Sequence, residues 1–146
     1  MQLASKQKDR GEILRIKLNQ AQADIYMGKA AAAARSAREV VDGADSLGLA
    51  ALSLQGSLAL GHALAETKSY AQARPVLESV LRRAQDAGMR SFLPQAHYWL
   101  AVTLRGSGQS AEADGHLQLA KKSLQDMRSE SRSEDIVKRI DLKPIA

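Results

Sequence analysis

His62, His97 and His116 are the residues of this 146-residue chain best suited to metal binding or proton transfer. They fall in successive elements, 35 and 19 residues apart, with neither the close spacing nor the company of thiols and carboxylates that a metal site needs. There is no cysteine, so a thiolate nucleophile, a thiolate metal site and a disulfide framework are all excluded. Gly106-Ser107-Gly108 is too short, and in the wrong context, to cradle a phosphate. No Ser/His/Asp arrangement and no pair of catalytic carboxylates can be assembled from the spacing. The sequence therefore reads as non-catalytic, with no cofactor and no metal expected, and the chemistry left to it is that of holding something.

Composition narrows what could be held. Twenty-one Lys and Arg against sixteen Asp and Glu leave a formal charge of +5, but the basic residues are scattered and interleaved with acidic ones. The longest basic blocks are Arg82-Arg83 and Lys121-Lys122, and there are no aromatic platforms beside them. Nucleic-acid binders concentrate positive charge on one face, so no nucleic acid is expected as a partner. No apolar run approaches the roughly 20 residues that cross a bilayer, and the amino terminus lacks the apolar stretch of a secretory signal. A cytoplasmic protein without membrane contact is the expectation by elimination.

Alanine and leucine dominate the apolar 45% while β-branched and aromatic residues are few, which favours helices. The chain also lines up with itself at an offset of forty residues. Gly28, Lys68 and Gly108 share a column, as do Ala33, Ala73 and Ala113, then Val40, Val80 and Ala120, then Ala21, Gly61 and Ala101. A fixed period of this size marks units that bury their apolar faces against their neighbours. Three units are expected, at about 10–48, 49–88 and 91–127, each a pair of helices with apolar residues three and four apart. Asp9 to Glu12 reads as a capping box for the first helix, and Ser69 and Ser91 read as caps farther on. Ile13, Leu14, Leu18, Ala21 and Ile25 are expected on the inner side of that first helix. Residues 128–146 are expected to form a polar linker and a short helix, Ser133 to Ile140, that tucks Ile136, Val137 and Ile140 under the last pair.

These columns resemble the tetratricopeptide repeat, a helix–turn–helix unit with Leu-Gly, Tyr, Ala and Phe at set offsets. Leu60-Gly61, Leu64, Ala73 and Leu77 hold those places in the second unit, and Leu100-Ala101, Leu104, Ala113 and Leu117 hold them in the third. The large residue before Leu-Gly is replaced by Ser57 and His97, and Gln85 and Gln125 stand where the closing proline would be. The period exceeds the usual 34 by about six residues, as in repeats of bacterial signalling proteins and kinesin light chains.

The resemblance implies an all-α, right-handed superhelical solenoid of three antiparallel hairpins plus the short C-terminal helix. In that family the first helices of the hairpins line a concave groove that receives a peptide or protein segment. Carried over by position, the groove would be lined by Arg15, Leu18 and Gln22 from the first unit. The second would give Gln55, Leu58, His62 and Glu66, and the third Gln95, Tyr98, Val102 and Arg105. Tyr98 and Arg105 would grip a peptide by area and by charge. The Lys/Asn/Arg clamp of chaperone-binding members is missing, its places being held by Leu18, Gln22, Ala59, Gln95 and Trp99. Trp99 and Phe92 read as filling between adjacent hairpins.

The sequence is thus read as a protein-interaction module, the C-terminal part of a larger bacterial signalling or regulatory protein. Two rivals remain: a scaffold that forms homo-oligomers through its end faces, and an effector-sensing domain of a transcription regulator.

Overall fold

The structure, a computed structural model, describes the backbone of residues 2–142 and the side chains of 3 and 5–130. Six helices follow one another: α1 (Gln2–Tyr26), α2 (Ala30–Leu47), α3 (Ala50–Glu66), α4 (Tyr70–Asp86), α5 (Leu93–Gly106) and α6 (Ser110–Leu142). A 3-10 turn, Arg90–Phe92, precedes α5. Each helix packs on the next, making three hairpins, and the first helices of the hairpins (α1, α3, α5) also touch one another. The fold is all-α.

The turns repeat more finely than the units. Positive φ occurs at Gly28 (78°), Gly48 (70°), Lys68 (60°), Gly88 (69°) and Gly108 (82°), one residue in every twenty. At each turn the next residue's N–H reaches back to the carbonyl five before it: Lys29 to Asp24, Leu49 to Ala44, Ser69 to Leu64, Met89 to Ala84 and Gln109 to Leu104, all at 2.8 Å. This is the Schellman closure, which satisfies helix-end carbonyls and wants glycine at the left-handed position. Lys68 is the exception, and an L-residue there costs roughly 1–2 kcal/mol against its right-handed form. Lys68→Gly should therefore raise stability by about 0.5–1 kcal/mol after the entropy of an unfolded glycine is subtracted, as read from a denaturant midpoint.

Small residues set the spacing within hairpins. Ala33, Ala37, Ala73 and Ala113 are fully buried where the paired helices approach. Leu77 and Val80 are fully buried too, and Leu18, Ala21 and Ile25 line the core from α1. A Cβ built on Gly61 would lie 2.4 Å from Leu77 Cδ2, so the glycine makes room for the leucine. On the outer surface Arg38 of α2 donates to Gln72 of α4, and Arg74 of α4 donates to Gln109 just before α6 (2.7 Å). Such exposed pairs tie neighbouring hairpins with little energy each.

Several local expectations change. α1 begins at Gln2, so Asp9 lies inside a helix and no capping box forms there; no glycine or proline interrupts residues 2–9. Ile13, expected on the inner side, is 60% exposed, and Leu124 is 42% exposed, because no hairpin precedes α1 or follows α6 among the described residues. Ser69 stands at the N-cap of α4 but makes no capping bond; its Oγ meets Thr67 Oγ1 instead. Ser91 falls within the 3-10 turn, and Pro94 occupies the first turn of α5, where its missing N–H is harmless. α4 continues through Pro75.

The largest difference is at the end. α6 runs unbroken from Ser110 to Leu142, across the expected polar linker, in place of a separate short C-terminal helix. Between Gly115 and Pro144 there is neither glycine nor proline, and serine only mildly disfavours helix, so nothing stops it. The side chains of Ile136, Val137 and Ile140 lie outside the described residues.

Candidate binding cavity on the first helices

A cavity of about 430 Å³ opens across α1, α3 and the start of α5. Gln22, Ile25 and Tyr26 reach it from α1, and Gln55, Leu58, Ala59 and His62 from α3. Ser91, Phe92, Gln95 and Trp99 close it from the third hairpin. Three features define its chemistry.

First, it holds three of the five aromatic residues of the chain, Tyr26, Phe92 and Trp99. The His62 ring stacks on Trp99 with centroids 3.6 Å apart and planes at 21°, while Tyr26 approaches His62 edge-on at 6.4 Å. Each hairpin thus gives one ring to a continuous row, and Trp99 bridges the second and third hairpins. Second, a glutamine from each first helix borders the space: Gln22, Gln55 and Gln95. An amide offers one acceptor and two donors, the complement of an extended peptide backbone. Third, among the described residues the lining contains no Lys, Arg, Asp or Glu. Burial holds the His62 imidazole below its ordinary pKa, opposed by Glu66, whose Oε1 lies 3.4 Å from Nε2. At neutral pH the described lining therefore carries no formal charge.

Of the eleven residues placed in a groove by position, Gln22, Gln55, Leu58, His62 and Gln95 come together here. Glu66 touches the site through His62. Leu18 is 5% exposed and belongs to the core. Arg15 is exposed and pairs with Glu12 instead. Tyr98, Val102 and Arg105 border a separate depression with Tyr70 and Leu117. There Arg105 is bound to Asp114 at 2.7 Å. Tyr26, Phe92 and Trp99 were not assigned to the groove from sequence. Their signal was the scarcity of aromatics together with the placing of Tyr26 and Trp99 one turn to either side of the His62 column.

An imidazole pair sits away from the cavity. His97, 6% exposed, meets His116 with the two Nδ1 atoms 3.0 Å apart, so one ring donates and the other accepts. Burial first, and His116 second, push the His97 pKa down. Both shifted histidines are thus lower when folded than the roughly 6.5 of an unfolded chain. Their contribution is complete above that value and is lost as pH falls below it, because the unfolded state takes up protons first. The denaturant midpoint should be lower at pH 5.5 than at pH 7.5. His97→Leu should flatten that slope, and an unchanged slope would mean His97 is not the titrating group.

No family model matches this chain, and no curated protein sequence does. Among solved structures it is similar to a TPR-like protein from Chlorobium tepidum TLS, with a TM-score of 0.74 and 20% identity. The match covers 82% of this chain and 83% of that one. The fold is TPR-like: six helices packed sequentially in pairs. No helix of the described residues is long and apolar enough to cross a membrane.

Proposed function

We propose that this chain is a protein-interaction module that holds an extended peptide or protein segment in the cavity across α1, α3 and α5. We further propose that it works as part of a larger bacterial signalling or regulatory protein. The observation that carries the first reading is the alignment of three amides and a row of rings across all three hairpins. Amides satisfy a peptide backbone that is withdrawn from water, and flat rings supply contact area at little entropic cost. The TPR-like fold is consistent with such a role. With no formal charge in the lining, the segment that fits presents uncharged side chains and not a terminal carboxylate.

Selection of a random peptide library on the immobilised protein tests this. Enriched sequences should be apolar or amide-rich. Gln55→Ala/Gln95→Ala should weaken the best of them by about tenfold to a hundredfold, two lost hydrogen bonds at roughly 0.5–1.5 kcal/mol each. Tyr98→Ala/Arg105→Ala should leave binding within about twofold. The reverse ranking would move the site to the depression beside Tyr70.

A further inference from the structure

The two hairpin junctions within the chain show what covers the trailing face of a hairpin. At the first, a Cβ on Gly56 would lie 3.0 Å from Val40 and 3.1 Å from Val41, and Ser53 donates to Asp45. At the second, forty residues on, fully buried Val80 and Ala96 take the places of Val40 and Gly56. Ala37, Ala44, Leu77 and Ala84 are fully buried on these faces.

The same columns continue into hairpin three as Leu117, Ala120 and Leu124, and the Leu58 column continues as Tyr98. No hairpin follows there among the described residues. Leu124 is 42% and Tyr98 46% exposed, beside a largely apolar hollow of about 530 Å³ that also takes in Met127.

The opposite end carries a matching surface. Ile16 stands forty residues before Gly56 and Ile13 forty before Ser53, and they are 66% and 60% exposed. Repeating the junction once more, with a second molecule in place of a fourth hairpin, sets Ile16 against Ala120 and Lys121. It also sets Ile13 beside Leu124. Side-chain volume trades across the three junctions: Val on Gly, Val on Ala, then Ala on Ile.

Helix lengths agree with this step. α1 starts eight residues before the position equivalent to the start of α3, and α6 runs past the position equivalent to the end of α4. Both overruns leave the same edge of the stack, so the repeated step lays them side by side and antiparallel.

We infer that a second copy of this chain docks the leading face of its α1 on the trailing face of hairpin three, head to tail. The contact is heterologous and does not close on itself, so it propagates into rows. Glu12, Asn19 and Gln20 replace Leu52, Ala59 and Leu60 on the leading face, which makes it weaker than the internal junctions and dependent on concentration. Among the described residues Ser91 and Gln95 border both this face and the concave cavity.

Sedimentation equilibrium of the full chain tests the inference. The weight-average mass should rise above 15.8 kDa with concentration and continue past a dimer. Ile16→Glu and Leu124→Glu, both at exposed positions, should each stay monomeric alone. An equimolar mixture should form dimers, since one variant keeps the trailing face and the other the leading face. A wild type that stays at 15.8 kDa overturns the inference. So does a closed dimer abolished by Leu124→Glu and unaffected by Ile16→Glu, or a mixture that stays monomeric while the wild type associates.

Discussion

Leu77→Ala is expected to cost about 3 kcal/mol, and Gly61→Ala about 1–2 kcal/mol, yet the double variant should cost less than their sum. Leu77 is fully buried, so removing it leaves a cavity that the helices around it only partly close. Gly61 faces it so closely that a methyl group would lie 2.4 Å from Cδ2 and 2.6 Å from Cγ of the leucine. The overpacking outweighs the roughly 1 kcal/mol that alanine gains over glycine inside a helix. In the double variant the new methyl enters the space that Leu77 vacated. The first hairpin already carries that solution, with fully buried Ala21 and Ala37 in the equivalent positions. Leu117→Ala, in the same column, should cost only about 1 kcal/mol, because Leu117 is already partly open to solvent. Thermal melts read the difference as a loss of roughly 10 °C for Leu77→Ala and a few degrees for Leu117→Ala. Equal costs at the two positions would contradict the burial of hairpin two by hairpin three.

Trp99→Ala is expected to remove about 2–3 kcal/mol of stability and to abolish measurable peptide binding. The indole is half-buried, stacks on His62 and takes Tyr98 edge-on at 4.9 Å, so its loss unties the second and third hairpins on the concave side. It also strips the largest ring from the cavity wall. A second readout separates the packing role from general damage. Burial is the leading cause of the low His62 pKa, so exposing that ring should raise its pKa toward the ordinary value. An NMR titration of the His62 ring protons follows this directly. Trp99→Phe should keep most of the stability and a low His62 pKa.

The forty-residue columns made the hairpins legible, because a buried alanine or a left-handed glycine is needed at the same place in every unit. The α4 stripe of Ala73, Leu77, Val80, Leu81 and Ala84 is buried as its spacing predicts. Helix ends were less legible. Asp9-to-Glu12 has the composition of a cap but no preceding breaker, and a cap works only where the chain leaves the helix. Likewise the serine-rich stretch after Met127 looks like a linker by polarity, while helix continuation depends on the absence of glycine and proline. The cavity was readable in part. Gln55, His62 and Gln95 share the cavity as their columns imply, whereas Tyr98 and Arg105 border another depression. Placing Trp99 needed the partner ring on α3, and a pairing across hairpins is not visible in one periodic column.

The chain has a single tryptophan, and it stands in the wall of the cavity, so its emission reports on that space. A selected peptide titrated into the protein should shift Trp99 emission saturably. The midpoint should match the affinity found by calorimetry, and both signals should be lost in Gln55→Ala/Gln95→Ala. Calorimetric binding with unchanged emission would place the peptide elsewhere and contradict the assignment of the cavity.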